Sequence, residues 1–214
     1  MRKKWLLIGV LTGTFKEKRL REAWEKFASE IGAEFSWERQ AKQNYTKVLL
    51  GEILTNDFEG WPVSLKYRKE TRPSSGGQHG QSTTETHVVM TAHHQSKDDF
   101  SFSIQRKSSL HKLFRFIVKP GIDLGYPDID RDFKVLSNDQ PKVKALFAKE
   151  RIRQLIQYLP STTMKRTPRL ATGAMLSFAT KDSIKDSKQL RHLFELFAEI
   201  LNSLHDAGLA EREV

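Results

Sequence analysis

Cysteine is missing from all 214 residues. Its absence excludes a disulfide framework, a thiolate metal site and a cysteine nucleophile. It also leaves the redox compartment unread. No apolar run reaches the roughly 20 residues that a membrane-spanning helix needs. Neither a Gly-x-Ser-x-Gly elbow nor a His-Glu-x-x-His pair nor a nucleotide-binding glycine triplet occurs. No internal repeat and no linker interrupts the chain. Catalysis by residues scattered in sequence survives these absences, but the balance moves toward a non-catalytic chain. No catalytic residue is assigned, and no cofactor is expected.

What the chain does have is positive charge. Lysine and arginine number 36 against 26 acidic residues, a net charge of +10. Such a surface favours anionic partners: nucleic acid, acidic phospholipid or an acidic protein. Hydrophobic residues make up 38% and charged residues 29%. That is enough for a core and too little for a membrane bundle, and the length suits one domain or one with a small appendage.

Much of the local asymmetry lies at the start. Arg2, Lys3 and Lys4 precede the apolar stretch Trp5 to Phe15, and Lys16, Lys18, Arg19 and Arg21 follow it. Three readings stand open: a buried first element, an interfacial anchor, or an uncleaved export signal lacking a small-x-small cleavage site. An anchor would put Trp5, Leu6, Leu7, Ile8 and Phe15 at headgroup depth and Lys16, Lys18 and Arg19 on anionic lipid. The domain plan is accordingly an N-terminal apolar segment, 1–15, and a single α+β domain, 16–214.

Periodicity fills in that domain. Leu20, Ala23, Trp24, Phe27, Ala28 and Ile31 form one helical stripe, closed by Gly32. Phe35 and Trp37 alternate with polar neighbours, as a half-buried strand does. Strands are also expected at Val48 to Leu54, at Val63, Leu65 and Tyr67, at Thr84 to Met90, and at Phe100, Phe102 and Ile104. The stretch Pro73 to Ser82 carries turn formers without apolar anchors and reads as a mobile loop. Ser108 to Ile122 fits either a short helix or a strand. Phe133 and Val135 resume a strand. Asn138 or Asp139 caps a helix with Pro141 in its first turn, broken near Ala148 and stopped by Pro160. Leu170 to Thr180 reads as a last strand, and Leu190 to Leu204 as a final helix ended by Gly208. The fold class expected is α+β: a mainly antiparallel sheet flanked by an N-terminal helix, an internal helix pair and a C-terminal helix.

Three motifs invite chemistry. Asp128, Asp130 and Asp132 have the spacing that opens a calcium loop, with Asp139 at its twelfth position. Phe133 stands where such a loop needs glycine, so the competing reading is a strand with three carboxylates on its wet face. Gly9 to Lys16 resembles a phosphate loop, but three residues separate its glycines instead of four and Lys16 is displaced. His93 and His94 are adjacent and would face opposite sides of a strand, leaving a zinc site with His87 short of ligands. For nucleic acid the candidate cations are Lys66, Arg68, Arg72, Lys107, Lys112 and Arg115.

The pattern Trp24-x-x-x-Ala28-x-x-Ile31-Gly-Ala-x-Phe35, then Gly125-x-Pro127, Asp130-Arg-Asp-Phe133, Ser137-Asn-Asp139 and Arg151-Ile-Arg-x-Leu155, resembles a family of bacterial domains with no established activity. The resemblance is sharpest between Gly125 and Ile156. It implies a fold and carries over no catalytic or binding residue. Arg151 and Arg153 are expected to pair with Asp128, Asp130 or Asp132. The functional expectation is a non-catalytic binding or scaffold module in the cytoplasm, working at the inner membrane surface. The alternatives are a nucleic-acid-binding domain and an enzyme with a dispersed site.

Overall fold

The apolar stripe that opens the chain does form a helix, α1 (Phe15–Glu30), which buries Leu20, Trp24, Phe27 and Ala28. The computed structural model describes residues 15–41, 46–73, 82–96, 98–107, 121–159, 163–168 and 173–212. After α1 come β1 (Glu34–Ala41), β2 (Lys47–Phe58), β3 (Trp61–Pro73), β4 (Ser82–Gln95) and β5 (Phe102–Arg106). A short helix α2 (Pro127–Asp132) leads into β6 (Phe133–Ser137). Helices α3 (Gln140–Ala148) and α4 (Glu150–Gln157), strands β7 (Thr163–Pro168) and β8 (Gly173–Thr180), and helix α5 (Ser187–Asp206) complete the order. The expected loop between β3 and β4 and most of the ambiguous stretch 108–122 lie outside the described residues.

The eight strands make one sheet in the order β1-β2-β3-β4-β8-β7-β5-β6, and every neighbouring pair is antiparallel. The fold is therefore α+β. One cross-strand row runs its full width: Phe35, Ile53, Leu65, Met90, Phe178, Met164, Ile104 and Val135 sit opposite one another in turn. All but Phe35 are buried. Side chains alternate between sheet faces, so this row defines the covered face. Helix α5 lies under it with ten buried residues. Helix α1 joins α5 through Phe27 edge-on to Phe194, 5.0 Å between ring centroids, and an Arg191–Glu30 ion pair at 2.7 Å.

One row further along, Trp37, Gly51, Tyr67, Val88 and Thr180 are opposed. Gly51 has no side chain because Trp37 lies across it; a Cβ there would come within 2.4 Å of the indole. The gap lets Trp37 stack on Tyr67, with centroids 5.4 Å apart and planes at 15°. Two strands away in hydrogen-bonding order, these rings would otherwise be separated by a side chain.

The structure corrects the reading of the aspartate motif. Residues 127–132 are a helix, not a strand. Pro127 stands at its start, where its fixed φ suits a first turn. Asp130 then turns back: its carboxylate accepts the backbone N–H groups of Leu124 at 3.0 Å and of Gly125 and Tyr126 at 2.9 Å. Gly125 allows the loop to close with a φ of +84°. The helix turns Ile129 into the core and delivers the buried Phe133 to β6.

Arg151 and Arg153 do not pair with the aspartates either. Arg151 bridges to Glu195 on α5. Arg153 donates to the carbonyls of Phe147 and Ala148 at 2.6 and 2.7 Å and lies 3.9 Å over the Tyr126 ring. Those carbonyls are orphaned because Lys149 is extended and ends α3. The expected break near Ala148 is thus real and is sealed by a guanidinium. Asp139 caps α3, accepting from the Lys142 N–H at 3.0 Å.

Candidate functional site

The next row on the covered face changes character. Arg39, Leu49, Lys69 and Thr86 are opposed there, at the limit of the helices' cover. Strand β3 reads Trp61, Val63, Leu65, Tyr67, then Lys69 on this face, so a cation falls where the alternation calls for an apolar residue. The first turns of α1 answer it. Glu17 places one carboxylate oxygen 2.8 Å from the Lys69 ammonium and the other 2.8 Å from the Arg39 guanidinium. That bridge fastens the start of α1 to β1 and β3.

A pocket of about 470 Å³ opens beside the bridge. Tyr67, Lys69 and Thr86 form its floor, the α1 residues Lys16, Glu17, Arg19 and Leu20 one wall, and Ser183 and Lys185 the other. Four cations thus face one carboxylate, which is already engaged. Tyr67 is only 2% exposed. Burial pushes its hydroxyl above the usual 10.0, against the pull of the Lys69 charge and of hydrogen bonds with Ser183 and Thr86. It is a neutral phenol at physiological pH. The second wall is held from behind, because the buried Trp24 indole N–H donates to the Ile184 carbonyl at 3.0 Å.

On the outer side of the same turns, Phe15 is 70% exposed and the Arg19 guanidinium lies 4.4 Å over its ring. Lys18 faces away, 3.7 Å from Glu22. Of the expected membrane contacts, Phe15, Lys16, Lys18 and Arg19 therefore share the start of one helix, with Phe15 inside it and not in a separate segment. Trp5, Leu6, Leu7 and Ile8 lie outside the described residues, as do Gly9 and Gly13 of the phosphate-loop reading. Among the described residues, no helix is long and apolar enough to cross a membrane.

The other candidates do not assemble. Asp128 reaches the Gln157 amide at 3.4 Å, Asp130 is taken by backbone N–H groups, and Asp132 pairs with Arg131 at 2.9 Å, which holds its carboxyl below the usual range. Among the described residues, no group of three or more histidines and carboxylates is placed to hold a metal ion. His94 is buried, with Nδ1 2.9 Å from the Gln95 carbonyl, while His87 is exposed beside Glu85. His93, next along the strand, points to the opposite face from His94. A second cavity of about 320 Å³ lies between α3 and α5. Its cations are engaged, Lys142 with Asp98 and Asp139 and Lys149 with Asp206.

The nucleic-acid candidates are largely neutralised. Lys66 pairs with Glu52 at 3.1 Å, and Arg68 and Arg72 both clasp Glu70 at 2.8 Å. Lys107 donates to the Asp130 carbonyl, while Lys112 and Arg115 lie outside the described residues. The two guanidinium hydrogen bonds hold the Glu70 carboxyl down at about 2, from an ordinary 4.5. A depressed carboxylate pKa gives stability that is complete above the unfolded-state value and lost as pH falls toward the folded one. Between pH 4.5 and about 2 the clasp should therefore loosen. A carboxyl-detected NMR titration should find Glu70 at about 2, below the ordinary 4.5, and high salt should raise it. A Glu70 titrating near 4.5 would show that the clasp does not form.

Sequence reasoning found Lys16 and Arg19 but missed Tyr67, Lys69, Thr86, Ser183 and Lys185. Only Lys69 left a trace, as a charge in an apolar register. No family model matches the chain, and no curated protein or solved structure matches it either.

Proposed function

We propose that this chain is a non-catalytic binding module that docks on an anionic membrane surface from the cytoplasmic side, using the first turns of α1. One observation carries the reading: a 70% exposed aromatic, Phe15, stands at the start of a helix whose next residues include Lys16, Lys18 and Arg19. An aromatic ring at headgroup depth with cations around it is the arrangement that holds peripheral helices at an interface. Each Lys or Arg near an anionic leaflet contributes about 1 kcal/mol. In the same proposal, the stretch Trp5 to Ile8 adds its apolar side chains to the contact, and the chain belongs to the bacterial domain family that its Asp-Arg-Asp-Phe motif resembles.

Flotation with anionic liposomes tests this. The full chain should float, and less so as salt rises. Replacing Lys16, Lys18 and Arg19 together by glutamine should weaken binding about 100-fold, from three lost contributions of about 1 kcal/mol each. Phe15→Ser should weaken it further. Equal flotation on neutral and anionic vesicles, or none on either, would overturn the proposal.

A further inference from the structure

We propose that the pocket between α1, the β3–β4 floor and the 183–185 segment binds a phosphomonoester group; the inference rests on the membrane reading for its place beside the lipid surface. The cavity, about 470 Å³, lies within the range of small-molecule sites. Its charge is one-sided. Lys69 is already shared with Glu17, but Lys16, Arg19 and Lys185 have no carboxylate partner among the described residues. Three unpaired cations around a pocket whose one carboxylate, Glu17, is already engaged suit a dianion more than a single negative charge. A phosphomonoester carries close to two charges at neutral pH and three strong acceptor oxygens.

The remaining lining supplies what those oxygens need. The Tyr67, Thr86 and Ser183 hydroxyls stand together at the pocket. Lysines bring mobile point charges to a phosphate, and Arg19 would add two parallel N–H groups on swinging off the Phe15 ring. Leu20 and the Tyr67 ring give the rest of a ligand an apolar surface. The site is also built rather than improvised. Tyr67 is fixed under Trp37, Glu17 fixes the α1 wall, and Trp24 fixes Ile184 between the two lining residues Ser183 and Lys185. Ordered donors around an excess of positive charge reduce what a ligand must organise on binding.

Two sources supply this chemistry, a lipid headgroup and a soluble phosphate ester, and one experiment separates them. Glycerol 3-phosphate is titrated into the full chain by calorimetry. Flotation is then compared on vesicles containing phosphatidic acid, a monoester, and on phosphatidylserine vesicles of matched surface charge, a diester. The expected result is saturable binding of glycerol 3-phosphate, weakened at least tenfold in Lys16→Gln/Lys185→Gln and unchanged in Lys142→Gln at the second cavity. Preference for phosphatidic acid, competed by glycerol 3-phosphate, would support the pocket with lipid as its source. Soluble binding without flotation on either vesicle would support the pocket and overturn the membrane reading. Equal flotation on both vesicles without soluble binding would overturn the pocket and leave the membrane reading standing. Loss of neither binding nor preference in the double variant would also overturn it.

Discussion

Replacing Trp24 by alanine should lower stability more than any other single change at the α1–sheet junction. The indole is fully buried and sits edge-on to Trp37 and Tyr67, at centroid distances of 6.1 and 5.9 Å. Removing a buried tryptophan costs about 3–5 kcal/mol through lost burial and the cavity left behind. The Ile184 carbonyl would also lose its donor, a bond that spans 160 residues of sequence. Trp24→Phe separates the two contributions. It keeps most of the apolar bulk and removes the N–H, so the expected loss is about 1–3 kcal/mol, the penalty of a buried acceptor left unpaired. Urea denaturation measures both. Because Ile184 carries Ser183 and Lys185 on either side, Trp24→Phe should also weaken any ligand held in the pocket, although the indole does not line it. A Trp24→Phe variant as stable as the parent would show that the hydrogen bond contributes nothing.

The second large effect is expected at Asp130. Its carboxylate gathers three consecutive N–H groups, those of Leu124, Gly125 and Tyr126. Hydrogen bonds to charged groups contribute more than neutral ones, but the Gly125 bond is exposed to solvent. Asp130→Ala should therefore cost about 2 kcal/mol in total, near the upper end of a capping residue. Asp130→Asn keeps one acceptor oxygen and should cost less. The same variants discriminate against the calcium reading. If the carboxylate serves the loop, added calcium should leave the thermal midpoint of the parent unchanged, and Asp130→Ala should lower it equally with and without calcium. A midpoint that rises with calcium in the parent and not in the variant would restore the aspartates as a cation site.

The two experiments bear on how much of the molecule its sequence discloses. Helices α1 and α5 were legible because their apolar stripes repeat at the helical period. A cap at Asn138 or Asp139 and the interruption near Ala148 were legible because capping and helix breaking are decided within a few residues. Strands β1, β3, β4 and β5 could be read from alternation, and β2 from a short apolar run. Strand β7 could not, since Thr163 to Pro168 has a single large apolar residue, Met164, and exists as a strand because β5 and β8 flank it. Helix α2 was missed for a related reason. Its aspartates have a period of two, which alternation reads as a strand, and the helix forms because Asp130 finds its partners in the preceding loop.

What the sequence determined alone is therefore the α+β class, the two terminal helices, the net charge of +10 and the absence of cysteine chemistry. These follow from composition and from periodicities that need only near neighbours. Which charges meet was decided by the tertiary structure. Arg68 and Arg72 are spent on Glu70, and Arg153 on helix carbonyls. Lys16, Arg19, Lys69 and Lys185 are brought to one pocket instead. Ion pairs form across strand registers and between elements far apart in the chain, and no local period encodes which cation is left over.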